Sequence, residues 1–562
     1  MAYPGGSTDT GRRSALIRGA MSMSGRVARR SFLGAGLATA GLAAAGPRVA
    51  AAAPAGRSGG LNLSPPISDP SKQSLVAIPP GRVRAAVASL DDIIRPVMDL
   101  SGVPGLSAAV VHKGRLLYAK GFGVRDVDTG TPVSASTVFH LASVSKSLSS
   151  TVVAGLVGRK VVSWTDPIVE HLPDFALADP YVTRHVTLAD LFSHRSGLPM
   201  YAGDLLEELG FSQAYTLHAL RLEPLAPFRA NYAYTNFGLT AAAVAVATAD
   251  HGEWASVADD VLFHPLGMSA TSFRYADFVR QRNRAAMHVR IDGKWYQKFE
   301  RDADPQAPAG GASSNVLDLA KWMALRLAGG AGPNGRPLID GPALLKTNTP
   351  QNVSSPPASN ASRTGFYGLG TDLGVDYSGR TSISHSGAFS QGAATNYLLM
   401  PEQQLGIVTL TNGMPIGIPE AIGKYFMDLV VGGRIENDWY TLYQGAFAQL
   451  YVNPSELAGK KPPAHPEPAR SADAYIGTYA NDYYGTIEVV HQGGALHVLI
   501  GPRPIDYELS HWDGDLFAFF PVGENALGIS AATFTFPGDS SRARTLTLEY
   551  YDPTGLGTFM RR

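Results

Sequence analysis

The chain has 562 residues, with 47 Lys plus Arg against 47 Asp plus Glu, and no cysteine. That length exceeds one ordinary domain and is enough for a large core. Balanced charge offers no basic stripe for nucleic acid, and the lack of thiols excludes disulfides, cysteine nucleophiles and Cys-based zinc sites.

Near the start, Arg29-Arg30-Ser31-Phe32-Leu33 precedes a mild apolar run, Gly34 to Ala45, and then a small-residue stretch, Val49 to Ala53. Residues 1–55 resemble a bacterial twin-arginine signal, an address read by a receptor rather than an anchor. Ala28 before the arginine pair and Gly34 after the leucine depart from the usual pattern, and Met21 and Met23 stand as alternative starts. No later stretch reaches the roughly eighteen consecutive apolar residues that suggest a spanning helix. The expectation is a mature protein without a membrane span, periplasmic or secreted. Residues 56–85, rich in Gly, Ser and Pro, read as a linker.

Residues 86–452 read as the main domain. Arg84 to Leu100 has helical periodicity. Leu106 to His112, a Lys113-Gly114 turn and Leu116 to Gly123 read as a β-hairpin, with Gly121 and Gly123 serving turn and packing rather than a phosphate loop. Then comes Phe139-His140-Leu141-Ala142-Ser143-Val144-Ser145-Lys146-Ser147, followed by an apolar run to Val157. This is a loop entering a helix near Ser143. Residues three apart on a helix share a face, so Lys146 reaches back toward the Ser143 hydroxyl. A hydroxyl needs a neighbouring base to become a nucleophile, and a buried lysine sheds its proton more easily than a solvated one. Ser143 is the only serine in the chain with a lysine three residues later.

Thr187 to Pro199 reads as a helix closed by a Gly197–Pro199 stop, with His194 tying its end to a neighbouring loop. Tyr234-Thr235-Asn236 supplies a phenol suited to proton shuttling and an amide suited to holding the lysine or a substrate amide. A phenol beside a lysine cation is expected to ionise more easily. Ser382-Ile-Ser-His385-Ser386-Gly387-Ala388-Phe389 ends one strand and leads to two more, Ala394 to Met400 and Leu405 to Thr411. One strand of this antiparallel sheet is expected to edge a cleft. There Gly387 would let a substrate backbone lie close, and the Ala388 N–H would point at the reacting carbonyl. Each motif is weak alone: Tyr451-x-Asn453, Tyr479-x-Asn481, His112-x-Gly114 and His491-x-Gly493 match too. No His-Glu-x-x-His occurs, and His112, His194 and His385 lack zinc-ligand spacing.

In order, Ser143-x-x-Lys146, Tyr234-x-Asn236 and His385-x-Gly387 resemble the serine β-lactamase and penicillin-binding-protein superfamily, in its class C-like branch. Gly121-Phe-Gly-Val-Arg-Asp126, His194-Arg-Ser-Gly-Leu-Pro199 and Pro308-Ala-Gly-Gly-Ala-Ser-Ser-Asn315 with Asp318 agree. The resemblance implies an α+β fold: an antiparallel sheet flanked by helices, an inserted helical lobe, and the site between. It implies catalytic Ser143, Lys146 and Tyr234, substrate-binding Asn236, His385, Gly387 and Ala388, an oxyanion hole from the Ser143 and Ala388 N–H groups, and no cofactor or metal. β-Lactamases of the superfamily carry lysine where this chain has His385. The expected substrates are therefore amides in short peptides, D-residues included, ahead of esters and β-lactams; a penicillin sensor that acylates without turnover is the reading of another class.

Residues 453–470, with Pro454, Pro462, Pro463, Pro466 and Pro468, read as a semi-rigid linker. Eight short alternating runs follow within 471–562, from Tyr475–Ala480 to Gly557–Arg561. They predict a small up-and-down barrel resembling the lipocalin-like domain attached to some relatives, acting as a lid or loop donor to the cleft, or as a stabilising module.

Overall fold

The computed structural model describes residues 76–562. The segment expected to be an export signal, and most of the linker after it, lie outside the described residues. The larger part is an α+β unit around an antiparallel sheet of nine strands. From one edge to the other these are Thr131–Pro132, Arg115–Asp126, Gly105–His112, Leu405–Thr411, Ala393–Met400, Thr381–Phe389, Asp372–Val375, Gly365–Tyr367 and Asn352–Ser355. The central strands read as continuous apolar runs because both faces are covered. Along Gly105–His112, Leu106, Ala108 and Val110 face one core. Ala109 and Val111 face the other.

Helices Leu90–Ser101, Ile418–Val431 and Trp439–Ala448 cover the first face. The predicted helix over Arg84–Leu100 is two, Arg82–Ala88 and Leu90–Ser101, parted at Ser89. Helices Val144–Gly158 and Val316–Leu327, with the inserted lobe, cover the second face. Val144–Gly158 is enclosed on every side, which is why its sequence shows no polar stripe. Its Gly155 leaves no room for a methyl, which would lie 2.6 Å from Val261.

The second unit is a closed barrel of eight antiparallel strands in sequence order, from Gly477–Asn481 to Thr558–Arg561. Its alternating side chains fill the interior: Tyr479, Ile487, Val498, Tyr507, Phe517, Phe519, Phe534 and Phe559 pack into one cluster. The proline-rich segment before it is bonded to the barrel, Asn453 Nδ2 to the Ile529 carbonyl at 2.9 Å and Ser455 Oγ to Glu549 at 2.6 Å. Among the described residues, no helix is long and apolar enough to cross a membrane.

Candidate active site

Ser143 caps the N-terminus of helix Val144–Gly158. Ala142 before it holds φ at 46°, a left-handed turn that an alanine adopts only at a cost. From residue 137 to 156, Ser143 alone is not buried. The chain thus spends a strained turn on exposing one hydroxyl from a dry helix.

Lys146 is fully buried. Its Nζ lies 3.0 Å from Ser143 Oγ, 2.7 Å from Asn236 Oδ1 and 2.8 Å from the Ala309 carbonyl. Burial pulls its pKa down to about 7, against a smaller upward pull from Asp204. A neutral amine has two hydrogens and one lone pair. Asn236 and Ala309 both accept, so they take the two hydrogens and leave the lone pair to the Ser143 hydroxyl. The Tyr234 hydroxyl donates to Ser143 Oγ at 2.7 Å, and its ring lies 4.6 Å from Nζ.

The phenol behaves otherwise than expected from sequence. Burial, the dominant influence, holds the Tyr234 pKa well above its ordinary value. Tyr234 is therefore a neutral O–H donor, and the base beside Ser143 is the lysine.

Strand Thr381–Phe389 supplies the third wall. Its neighbour Asp372–Val375 pairs only as far as Ser384, so among the described residues no strand covers that edge from His385 onward. Gly387 is needed there for a reason other than the one expected. A Cβ on it would meet the Leu141 carbonyl at 2.1 Å, Thr395 Oγ1 at 2.3 Å and the Ser143 nitrogen at 3.0 Å. The glycine makes room for the nucleophile's own turn rather than for a substrate backbone. Ala388 follows on the open edge, half-buried.

His385 is buried with both ring nitrogens occupied, Nε2 by the Tyr367 hydroxyl at 2.8 Å and Nδ1 by the Ser386 carbonyl at 2.6 Å. Burial and the nearby Lys146 pull its pKa down to about 3, so it adds no charge to the cleft. Its ring braces the strand and offers a substrate no free nitrogen.

The family comparison agrees with this geometry. The beta-lactamase family matches residues 90–431. The chain belongs to that family. Its members are serine hydrolases. A domain of unknown function, DUF3471, matches residues 461–557, the barrel region. The unguisins hydrolase ungD of Aspergillus violaceofuscus is 26% identical over 82% of this chain and 88% of its own length. Esterase EstB of Burkholderia gladioli is 32% identical over 24% of this chain and 36% of its own length. The octameric penicillin-binding protein homologue from Pyrococcus abyssi aligns over 84% of this chain and 100% of its own, with TM-score 0.54 and 20% identity, which shows a shared fold.

Within this beta-lactamase-family site, the smaller sequence phrases are structural. His194 accepts from the Thr235 N–H at 3.2 Å and packs on the Tyr234 ring, 4.5 Å between centroids. The helix before it ends at Phe192, earlier than the Gly–Pro stop implied, because His194 turns left-handed with φ 57°. Asn315 caps helix Val316–Leu327 through the Asp318 N–H. The duplicate motifs stay away from Ser143: Tyr451 bonds the Pro415 carbonyl, and Tyr479 is in the barrel core.

Sequence reasoning missed Ala309, which acts through a backbone carbonyl that no side chain announces. It also missed Asp204, whose Oδ2 accepts from Asn236 Nδ2 at 2.8 Å. Near them Glu207 holds Arg301 at 2.8 Å and accepts from Gln306. Glu524 from the barrel accepts from the Ser390 N–H at 2.5 Å, at the end of the cleft strand. Acids on a five-residue helix and on a barrel loop carry no spacing signal.

Proposed function

We propose that this protein is an exported serine amidase that cleaves short peptides through an acyl-enzyme on Ser143. One observation carries the reading: a buried amine whose proton affinity is lowered, and whose hydrogens are committed to Asn236 and Ala309, faces the partly exposed Ser143 hydroxyl. Lys146 Nζ takes the Ser143 proton as Oγ attacks the carbonyl carbon. The Ser143 N–H, at a helix start, and the Ala388 N–H receive the developing oxyanion. The C–N bond breaks as Tyr234 gives its proton to the leaving nitrogen. The proton held on Lys146 then returns to Tyr234 by way of the site's hydrogen bonds. Water next attacks the acyl carbon, Lys146 accepts its proton, and Ser143 Oγ leaves with a proton.

The relative named as an unguisins hydrolase supports hydrolysis as the reaction; the partial match to an esterase supports ester cleavage as a second activity. The neutral, fully engaged His385 gives a substrate carboxylate no cation, which places β-lactams last. Export rests on the twin-arginine pattern of residues 1–55. Digestion of a mixed L- and D-peptide library, read by mass spectrometry beside a panel of esters, tests the reading. Cleavage of peptide bonds that vanishes in Ser143→Ala supports it; ester turnover with every peptide intact replaces it by the esterase reading.

A further inference from the structure

Helix Asp204–Glu208 lies between the hydrolase site and the barrel. On the site side, Asp204 Oδ2 accepts from Asn236 Nδ2 at 2.8 Å. That bond fixes which way the amide faces. With Nδ2 committed to Asp204, Oδ1 faces Lys146 at 2.7 Å. Were the amide reversed, its NH₂ would face the lysine and claim the lone pair that Ser143 requires.

On the other side the helix belongs to the barrel. Leu206 and Leu209 are buried in the barrel's apolar cluster. The Gly203 N–H, just before the helix, donates to the Tyr483 hydroxyl at 3.1 Å. Glu208 Oε1 accepts from the Asn525 N–H at 3.0 Å and from Asn525 Nδ2 at 2.6 Å, and Oε2 accepts from the Tyr550 hydroxyl at 2.7 Å. Gly501 abuts the Leu209 carbonyl, where a Cβ would stand 2.8 Å away. Beside the Asp204–Asn236 bond, Glu207 ties the helix to the hydrolase part through Arg301 and Gln306. A barrel that merely screened substrates would have no need to bury this helix.

We propose that the C-terminal barrel is a clamp that aims the base. It fixes helix Asp204–Glu208, so that Asp204 orients Asn236 and thereby directs the Lys146 lone pair at Ser143. Asp204 is a positioning residue, and the barrel acts on chemistry at a distance. This rests on Ser143 and Lys146 being nucleophile and base, which Ser143→Ala tests independently.

The clamp has a signature in pH. The groups facing Lys146 are Ser143, Tyr234, Asn236 and Asp204, with neutral His194 and His385 behind them. Asp204 itself faces Glu207, Glu208 and Tyr201, and burial, with Glu207 beside it, holds its pKa well above the usual carboxylate range. Of these, Asp204 is the group that raises the lysine's proton affinity. Withdrawing the ionised form of Asp204 moves the acid limb of the rate profile to lower pH, by as much as that form is populated there.

The test uses the full chain and 4-nitrophenyl acetate, an ester too small for a lid to exclude. The variants are Asp204→Leu, Asp204→Asn and the barrel pair Asn525→Ala with Tyr550→Phe, each checked by thermal melting. Asp204→Leu should lose about 10- to 100-fold in kcat with KM nearly unchanged, the usual effect of misaiming a reacting group. Asp204→Asn keeps an acceptor for Asn236, so it should hold kcat within about threefold while its acid limb moves down in pH. The barrel pair should lower kcat for this ester and move the limb the same way. The clamp is refuted if the barrel pair, still folded, leaves the small-ester kcat and acid limb at wild-type values and alters only KM for longer peptides. Wild-type kcat in Asp204→Leu refutes it equally. Normal turnover in Ser143→Ala would instead overturn the underlying assignment.

Discussion

Gly387→Ala is the substitution whose consequence the structure fixes most tightly. The added methyl would lie 2.1 Å from the Leu141 carbonyl and 2.3 Å from Thr395 Oγ1, and 3.0 Å from the Ser143 nitrogen. None of these neighbours yields easily: the first and third are backbone, and Thr395 Oγ1 is itself bonded to the Leu141 carbonyl at 2.7 Å. Relief requires the strand and the nucleophile turn to part by about 1 Å. Overpacking of this kind costs about 1–3 kcal/mol. Displacing a nucleophile from its oxyanion donors by about 1 Å costs on the order of 10² in rate. Steady-state kinetics with a small activated ester, beside a thermal melt, should show kcat down about 100-fold, KM little changed and a lowered melting temperature. If the glycine served the substrate backbone instead, KM for peptides would rise while small-ester kcat held. That pattern would refute the packing argument.

Other outcomes follow from the same geometry. Lys146 acts as a free base with a pKa of about 7, so kcat/KM for a neutral ester should climb as pH rises through 7 and level off above; a profile flat from pH 5 to 9 would remove its role. Lys146→Met and Tyr234→Phe should each lose at least about 10²-fold in kcat, the range for general acid–base groups; near-normal rates in both would dismiss the proton path. Burial raises the Glu208 pKa from an ordinary 4.5 to about 7. The folded state therefore holds that proton more tightly, and the stabilisation is full below pH 4.5 and gone above 7, worth at most about 3 kcal/mol. The melting temperature should fall between pH 5 and 8, and fall less in Glu208→Gln; identical slopes would show that Glu208 does not link pH to stability.

The sequence showed most where chemistry or period imposes a pattern. Strands of the barrel alternate because one face of each meets the filled interior, and the observed first and last strands, Gly477–Asn481 and Thr558–Arg561, fall on the runs Tyr475–Ala480 and Gly557–Arg561 read from sequence. The pairing of Ser143 with Lys146 was visible because a helix fixes residues three apart on one face. The partners that set the lysine's state were not. Ala309 contributes a carbonyl, which every residue has. Asp204 lies 32 positions before Asn236, with no periodic pattern linking the two, and its helix is positioned by Leu206 and Leu209 packing on a separate unit. The ionisation of Tyr234 was misjudged because proximity to a lysine is readable in a motif, whereas the depth of burial that outweighs it is a property of the assembled core. The role of Gly387 was misplaced for a similar reason, since the backbone it accommodates comes from Leu141 and Ser143, far away in the chain.

The central claim is that Ser143 carries the acyl group. The most direct measurement is the intact mass of the protein quenched during turnover of an activated ester, followed by peptide mapping. The account predicts a transient gain of one acyl mass on the peptide holding Ser143, absent in Ser143→Ala. Turnover with no adduct at Ser143, or an adduct that persists in Ser143→Ala, would contradict it.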